Sequence, residues 1–380
     1  MKRIILYTQG DSSKRSTWSN IPYCLTQSLA KKGFSILRVN IQPNYRLKKL
    51  WDKIILPSLN KLCPSHSYDY SRSLLHRLHI QYKIIKASIR NRNIYAHIFL
   101  TFSHTNFFST STIMLCDWTL EEWITKRETR KPLMIEKLYF TWEKLCIERS
   151  RMVVSLFDSF AERMRLKYNN PNIVFIDQLC VNNLYEYELC ETDILEKKKH
   201  SNSILFIGRD HYKEGFQKLY NVFLQLHQKN SSLHLHVIGL TDDDVEIKNS
   251  NVIFHGFLHK EVESERELFY QLLINAKVIC NVNPDWAGYS SIIECMFFYT
   301  PVVVTPFPDF VKDFGSNIKF GSYYSPDMNI SLDFVLDHIL THQNYKQLCI
   351  NAHDAVKNRT WEKYTDKLLY SFEMLTNGSK

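Results

Sequence analysis

The 380-residue sequence predicts an α/β protein with two doubly wound parallel sheets that face one another across a cleft. Three observations carry this expectation. In the first half, short β-branched runs alternate with amphipathic stretches of helical period, the pattern of parallel strands joined by crossover helices. A polar segment, 185–202, interrupts the alternation, and a fresh series begins at Ser203. Residues 279–306 then read as apolar strand, small-residue turn, helix and second β-branched strand, in a chain longer than one core usually fills.

Taken in order, Ile4–Thr8 is a first strand, and the polar loop Gln9–Arg15 leads into an amphipathic helix from about Trp18 to Lys32. Gly33 caps that helix, and strand Ser35–Asn40 follows. Residues 46–93 are helical and basic; strands Ala96–Thr101 and Ile113–Cys116 come next, then one long helix over 119–150. Strand Met152–Leu156, a helix to Tyr168 and strand Ile173–Asp177 close the first series. The polar segment, ending Glu196-Lys197-Lys198-Lys199-His200, reads as an interdomain linker. After it come strand Ser203–Ile207, a helix to Gln228, strands Leu233–Gly239 and Val252–His255, helix 260–275, strands 277–282 and Thr300–Val304, and carboxy-terminal helices. The expected domains are 1–184 and 203–358, both Rossmann-like, with 359–380 a final helix crossing back to the first.

Composition narrows the function classes. A 44% hydrophobic, 23% charged chain is that of an ordinary globular protein, and no apolar run reaches the roughly 18 residues of a membrane span. The amino terminus has an apolar core of only Ile4 to Tyr7, a first strand rather than a secretion signal. Nine scattered cysteines without a CxxC pair read as reduced core residues of a cytoplasmic protein. Fifteen histidines show neither HExxH nor zinc spacing, and no metal site is expected. Asp242-Asp243-Asp244 follows strand-ending Gly239 and precedes a hairpin-like segment, so it reads as an exposed turn. The net charge of +9 is concentrated: between Arg46 and Arg92 there are eleven Lys or Arg against two Asp, interleaved with Trp51, Tyr68, Tyr70 and Tyr82. That region suits an anionic membrane surface or a polyanionic acceptor, against the plain alternative of a solvated helix face.

The chemistry concentrates in the second half. Strand Val278–Val282 runs into Ala287-Gly288-Tyr289-Ser290-Ser291, where a helix opens and carries Glu294 one turn in. The first amides of such a helix attract anions, Gly288 lets backbone approach closely, the two serines add hydroxyl donors, and Glu294 is placed to accept from sugar hydroxyls. Earlier, strand Ile204–Ile207 ends in Gly208-Arg209-Asp210-His211-Tyr212-Lys213-Glu214-Gly215 before a helix. A guanidinium fork and an ammonium there would bracket a diphosphate from two sides.

Over nearly its whole length the chain resembles the retaining GT-B glycosyltransferases of the family-four type. The second half follows that family's order: F-x-G-R-x-x-x-K-x-G at Phe206 to Gly215, V-x-F-x-G-F at Val252 to Phe257, and E-x-M-x-x-x-x-P-V-V from Glu294 to Val303. Thr360-Trp361-Glu362-Lys363-Tyr364 is similar to the start of the family's crossing helix. Gly10-Asp11 with Thr17 to Tyr23, and Cys116-Asp117-Trp118-Thr119, resemble the donor-side loop and T-D-A-T strand end of one subgroup.

The resemblance implies that Arg209 and Lys213 hold the donor pyrophosphate, helped by amides from Gly288 through Tyr289 to Ser291, with Gly208 at the strand end. Glu294 would bind the ribose, and His255, Gly256 and Phe257 would lie beside the base. Asp117 would sit at the catalytic centre, the plain alternative being an N-cap, and the Gly10 loop would close over the phosphates. Beside these, Trp18 either lines the cleft on the acceptor side or packs in the core of the first helix, and His104, on the loop after Phe102, is a candidate for acceptor contact or proton handling. The implied reaction moves a sugar from a nucleotide-diphosphate sugar to a glycan or lipid-linked acceptor with retained configuration, without metal or other cofactor. Surface polysaccharide or glycoconjugate synthesis at the inner face of the plasma membrane is the implied setting. Two departures stand out. The family's acid eight residues before the Glu is Trp286 here, with Asp285 beside it as a substitute, and Glu214 replaces a second base after Lys213. Two alternatives stay open: a nucleic-acid-modifying transferase, disfavoured by the lack of aromatic RNA-binding or helix-turn-helix patterns, and an inactive relative acting as a binding partner.

Overall fold

Ile4, Ile5, Leu6 and Tyr7 are wholly excluded from solvent, as a central parallel strand covered on both faces requires. The computed structural model describes residues 2–62, 69–247, 249–284 and 288–377. Two units emerge, one of residues 1–179 with 361–380, the other of 180–360.

In unit 1, β1 (Arg3–Thr8) pairs in parallel with β2 (Ser35–Asn40) on one side and β3 (Ile94–Phe99) on the other. The sheet continues through β4 (Thr112–Cys116), β5 (Met152–Ser155) and β6 (Ile173–Phe175), in the order β2-β1-β3-β4-β5-β6. Its helices are α1 (Ile21–Lys31), α2 (Tyr45–Leu50), α3 (Leu56–Leu62), α4 (Leu74–Ile89), α5 (Leu120–Glu122), α6 (Met134–Arg149) and α7 (Asp158–Lys167). Two boundaries differ from expectation. The first helix begins at Ile21 rather than Trp18, because Trp18, Ser19 and Asn20 all adopt left-handed backbone (φ 40°, 52° and 68°) and Pro22 then starts the α-helix. The single helix expected over 119–150 is broken: Thr129 is left-handed and Pro132 disfavours helix at Lys131. α6 restarts with the Glu136 carboxylate accepting from the Leu133 amide at 2.8 Å.

Unit 2 comprises α8 (Glu191–His200), β7 (Ser203–Ile207), α9 (Lys213–Lys229), β8 (His234–Ile238), α10 (Asp242–Val245), β9 (Val252–Gly256) and α11 (Glu263–Asn275). It continues with β10 (Val278–Asn281), α12 (Ser290–Phe297), β11 (Val302–Val304), α13 (Pro308–Phe314), β12 (Gly321–Tyr323), α14 (Leu332–Leu340) and α15 (Tyr345–Val356). The sheet order is β12-β11-β10-β7-β8-β9, all parallel, so strand order reverses between β7 and β10. Phe216, Leu219, Phe223 and Leu226 of α9 pack on Phe206, Leu235 and Val237 to build one face of the core.

Two further expectations need correction. The segment 185–202 is not simply a linker: it carries α8, whose Ile194, Leu195 and Lys198 are buried in unit 2. Its narrow inward stripe is lost among surface Glu and Lys in the sequence. Lys198 Nζ donates to Leu273 O, Ala276 O and Thr300 Oγ1 at 2.8–2.9 Å, so three acceptors match an ammonium's three hydrogens. The hairpin-like segment after Gly239 is instead a parallel crossover through α10, on which Asp242, Asp243 and Asp244 form one helical turn capped by Thr241.

The last helix, α16 (Trp361–Asn377), belongs to unit 1 and lies along α1. There Ser28 Oγ meets Thr365 Oγ1 at 2.6 Å and Trp361 O at 3.1 Å, while Lys31 and Lys32 pair with Glu362 and Asp366. Among the described residues no helix is long and apolar enough to cross a membrane.

Candidate functional site

The carboxyl edge of the unit-2 sheet is floored by glycine. Three neighbouring strands end at Gly208, Gly239 and Gly256, joined by Gly208 N to Ile238 O (3.0 Å) and Gly239 N to Gly256 O (2.7 Å). Gly239 has φ 100°, and a Cβ there would overlap the carbonyl oxygen of Gly208; Gly256 has φ 61°. No side chain from these positions stands between a ligand and the backbone.

Arg209 and Lys213 flank this floor. The Arg209 guanidinium lies over the half-exposed Phe257 ring, 5.2 Å from its centroid, at the end of β9. Lys213 opens α9, and its Nζ sits 3.2 Å from Asp210 and 3.7 Å from Asp244. Asp244 is fixed for that contact because its other oxygen accepts from the Thr241 amide and hydroxyl. An incoming anion therefore meets cations already steered by an aromatic ring and two carboxylates.

The strand beside β7 is β10, with Ile204 opposite Val278 and Leu205 opposite Ile279. Loops leaving these two strands emerge where the order reverses, the place where open α/β sheets bind ligands. Gly215 ties them together: its amide donates to Asn283 Oδ1 at 3.2 Å, and a Cβ there would stand 2.7 Å from the Asn283 nitrogen. Gly288 leads to Ser290 and Ser291, half-buried at the start of α12, where the amides of Ile292 and Ile293 both already bond Tyr289 O. Asp285, Trp286 and Ala287 lie outside the described residues.

Several expected ligands also have partners within the protein. Tyr289 is buried, its hydroxyl donating to Asp313 at 2.5 Å, and Arg359 Nη1 holds the same carboxylate at 2.8 Å. Its side chain anchors the turn whose amides are expected to face the phosphates. His255 turns its ring onto His236, with Nε2 3.0 Å from His236 Nδ1, and burial lowers both pKa values, that of His236 to about 4. Glu294 is also buried, with Lys260 Nζ 2.7 and 2.9 Å from its two oxygens and the Tyr270 hydroxyl 3.2 Å from Oε1.

Unit 1 presents a different edge. Gly10 (φ 97°) donates its amide to Asn40 Oδ1 at 3.1 Å, just after β1. Asp117, at the end of β4, accepts from the Trp118 amide at 2.9 Å and the Cys116 thiol at 3.3 Å, and burial raises its pKa. It is not the N-cap: Thr119 Oγ1 takes that part, accepting from Glu122 N at 3.3 Å. Trp18 stands half-buried in its left-handed turn. His104 is buried rather than surface-facing, edge-on to His76 at 5.9 Å, and desolvation lowers its pKa to about 3.

Two groups escaped the sequence reading. Glu143 of α6 is buried, accepts from Ser103 Oγ (2.8 Å) and Leu120 N (2.9 Å), and is raised by burial to about 7. A signal existed: Glu136, Tyr139, Glu143 and Cys146 recur at helical spacing on one face. Lys260, in the loop before α11, carried none. Among the described residues no group of three or more His, Cys, Asp or Glu is arranged to hold a metal.

No protein-family model matches the chain, and no curated protein does. Solved structures do. Sucrose-phosphate synthase from Thermosynechococcus elongatus aligns over 100% of both chains with TM-score 0.69 at 14% identity. HepE of Anabaena, in complex with UDP-glucose, aligns over 98% of this chain and 100% of its own, with TM-score 0.64 at 12% identity. WaaG, a glycosyltransferase involved in lipopolysaccharide biosynthesis, covers 99% and 100%, with TM-score 0.61 at 12% identity. The chain has the GT-B fold. In GT-B terms unit 1 is the amino-terminal half with the returning helix α16, and unit 2 is the carboxy-terminal half.

Proposed function

We propose that this chain is a glycosyltransferase that moves a sugar from a nucleotide-diphosphate sugar to a glycan or lipid-linked acceptor with retention of configuration. One observation carries the reading: the Arg209–Lys213 loop and the Gly288–Ser291 turn leave adjacent strands β7 and β10 where the sheet order reverses. Support of a second kind comes from HepE, a fold relative whose structures hold UDP and UDP-glucose.

In this reading the cations and the α12 amides stabilise the diphosphate as it gains charge on leaving, the part a divalent metal plays in other glycosyltransferases. The departing oxygen then takes the acceptor's proton on the same face of the sugar. Asp117, its carboxyl raised by burial, is assigned the acceptor hydroxyl. Titration calorimetry with UDP-, GDP- and ADP-sugars tests the reading: one should bind saturably, and Arg209→Ala should weaken it at least tenfold. Wild-type protein that binds none of them is not a transferase of this kind.

We also propose that residues 46–92 rest on the anionic inner face of the plasma membrane, where a lipid-linked acceptor in surface polysaccharide synthesis is presented. α4 buries His76, Ile80 and Ile84 on one side and exposes Leu74, Leu78, Tyr82 and Ile89 on the other, among Lys83, Lys86 and Arg90. An outward apolar stripe bordered by cations is what an interfacial helix presents to anionic lipid. Tyr68, also part of this region, lies outside the described residues. Sedimentation with phosphatidylserine vesicles should capture the protein and weaken when Lys48, Lys49 and Lys53 are changed to Glu. Equal capture of that variant, or capture by DNA instead, rejects this face.

A further inference from the structure

Glu294 is held by two side chains through three hydrogen bonds. Lys260 Nζ reaches Oε1 at 2.7 Å and Oε2 at 2.9 Å, and the Tyr270 hydroxyl donates to Oε1 at 3.2 Å. The Tyr270 oxygen in turn accepts from the Leu184 amide at 2.7 Å. Lys260 is itself fixed, its ammonium 3.9 Å from the centre of the Phe269 ring and its carbonyl accepting from Arg266 Nη1 at 3.1 Å. Side-chain exposure is 14% for Lys260 and 6% for Glu294, so water competes little for either.

A carboxylate oxygen accepts about two hydrogen bonds. Oε1 already takes two, from Lys260 and Tyr270, whereas Oε2 takes one. From this count we propose that Lys260 is a positioning residue that makes Glu294 read a single ribose hydroxyl through Oε2, rather than both hydroxyls of the diol at once. The proposal rests on the nucleotide-sugar reading above and adds a specificity determinant to it. The ammonium locks the carboxylate's rotation and saturates Oε1 together with Tyr270. The locked carboxylate then meets the nucleoside without reorganising, which concentrates its selectivity on one position of the sugar.

The experiment is titration calorimetry with UDP and its 2′-deoxy and 3′-deoxy forms, or the same trio for GDP or ADP if that base binds. In the wild type, one deoxy form should lose at least tenfold in affinity and the other less than threefold. Lys260→Met should shrink the ratio between the two deoxy forms to within about threefold while parent nucleotide still binds. Lys260→Gln, which keeps a donor and fills similar space, provides the same readout should the Met variant fail to fold by thermal melting; its ratio should fall between the two. Equal losses for both deoxy forms in the wild type, or an unchanged ratio in the Lys260 variants, overturn the proposal. Absence of binding by every parent nucleotide to wild-type protein overturns instead the reading on which it rests.

Discussion

At the carboxyl edge of the unit-2 sheet, three adjacent strands end in glycine, and the first charged group beyond them is the Arg209 guanidinium. At the corresponding edge of the unit-1 sheet, β4 ends at Cys116 and Asp117, and the loop after β3 buries His104 near the Ser103 that Glu143 holds. Both sheets are six parallel strands, so the scaffold does not make the difference. What differs is the charge that burial leaves. Unit 2 exposes backbone and fixed cations, which suit an anion. At this edge unit 1 holds the Asp117 and Glu143 carboxyls, raised by desolvation, and the His104 imidazole, lowered by it, groups whose charged forms burial disfavours and which can exchange hydrogen bonds with hydroxyl groups.

If that division is real, charge removal should hurt most in unit 2. Arg209→Ala should lower kcat/KM by roughly 10²–10³, the usual cost of deleting a preorganised donor to a developing oxyanion. Asp117→Asn keeps shape and most hydrogen-bonding capacity and should cost only about tenfold, below the roughly 10²–10⁴ that an acid–base catalyst contributes. The test is steady-state kinetics on both variants with the donor found by calorimetry. A larger loss for Asp117→Asn than for Arg209→Ala would break the comparison, because the carboxyl of unit 1 would then dominate the chemistry.

The glycine floor permits a second, smaller contrast. Gly239→Ala introduces a Cβ against the Gly208 carbonyl at φ 100°, so it combines backbone strain with a clash that only main-chain movement relieves. Gly33, just after α1, has φ 85°, but a methyl group added there would meet nothing within 4 Å. Gly33→Ala should therefore cost about 1 kcal/mol from conformation alone, and Gly239→Ala about 2–4 kcal/mol. Denaturant unfolding of the two variants measures both. Equal losses would mean that the floor tolerates a methyl group and that its glycines are conformational only.

The alternation of strands and helices was legible because parallel strands are apolar throughout and their crossovers keep a helical period. The Gly208–Lys213 loop and the Gly288–Glu294 stretch were legible because each is a local word: strand end, small residues, charge, helix. Partner choice was not. Tyr289 was expected to offer its amide, and nothing in the sequence showed that its hydroxyl goes to Asp313, 24 positions later, or that Glu294 meets Lys260 34 positions before it. α8 was hidden because only Ile194, Leu195 and Lys198 of a charged segment turn inward, and a buried lysine reads as surface in any hydropathy pattern. The left-handed run at Trp18, Ser19 and Asn20 was hidden because Trp and Ser give no sign of that conformation, which glycine and, less often, asparagine adopt.

The smallest effect concerns how unit 1 keeps its groups neutral. Burial lowers His76 and His97 to about 4 and His104 to about 3, so between pH 6.5 and 4.5 the unfolded chain binds protons that the folded chain refuses. Stability is therefore lost as pH falls through that window. Glu143 acts in the opposite sense: raised to about 7, it binds a proton in the folded state before the unfolded state does, so its share of stability falls as pH rises from 4.5 to 7. Asp117, also raised by burial, acts in the same sense as Glu143, and the three imidazoles outnumber these two carboxyls, so the net slope keeps the sign of the histidines. Glu143→Gln removes the opposing group while its amide oxygen still accepts from Leu120 N and Ser103 turns to accept from the amide nitrogen. The acid loss between pH 6.5 and 4.5 should then steepen by up to about 1.4 kcal/mol per pH unit, one proton's worth. Urea midpoints across that range measure it. A parallel pH profile for Glu143→Gln and wild type would show that Glu143 is already ionised throughout, and that unit 1 carries a buried negative charge where the comparison requires a neutral acid.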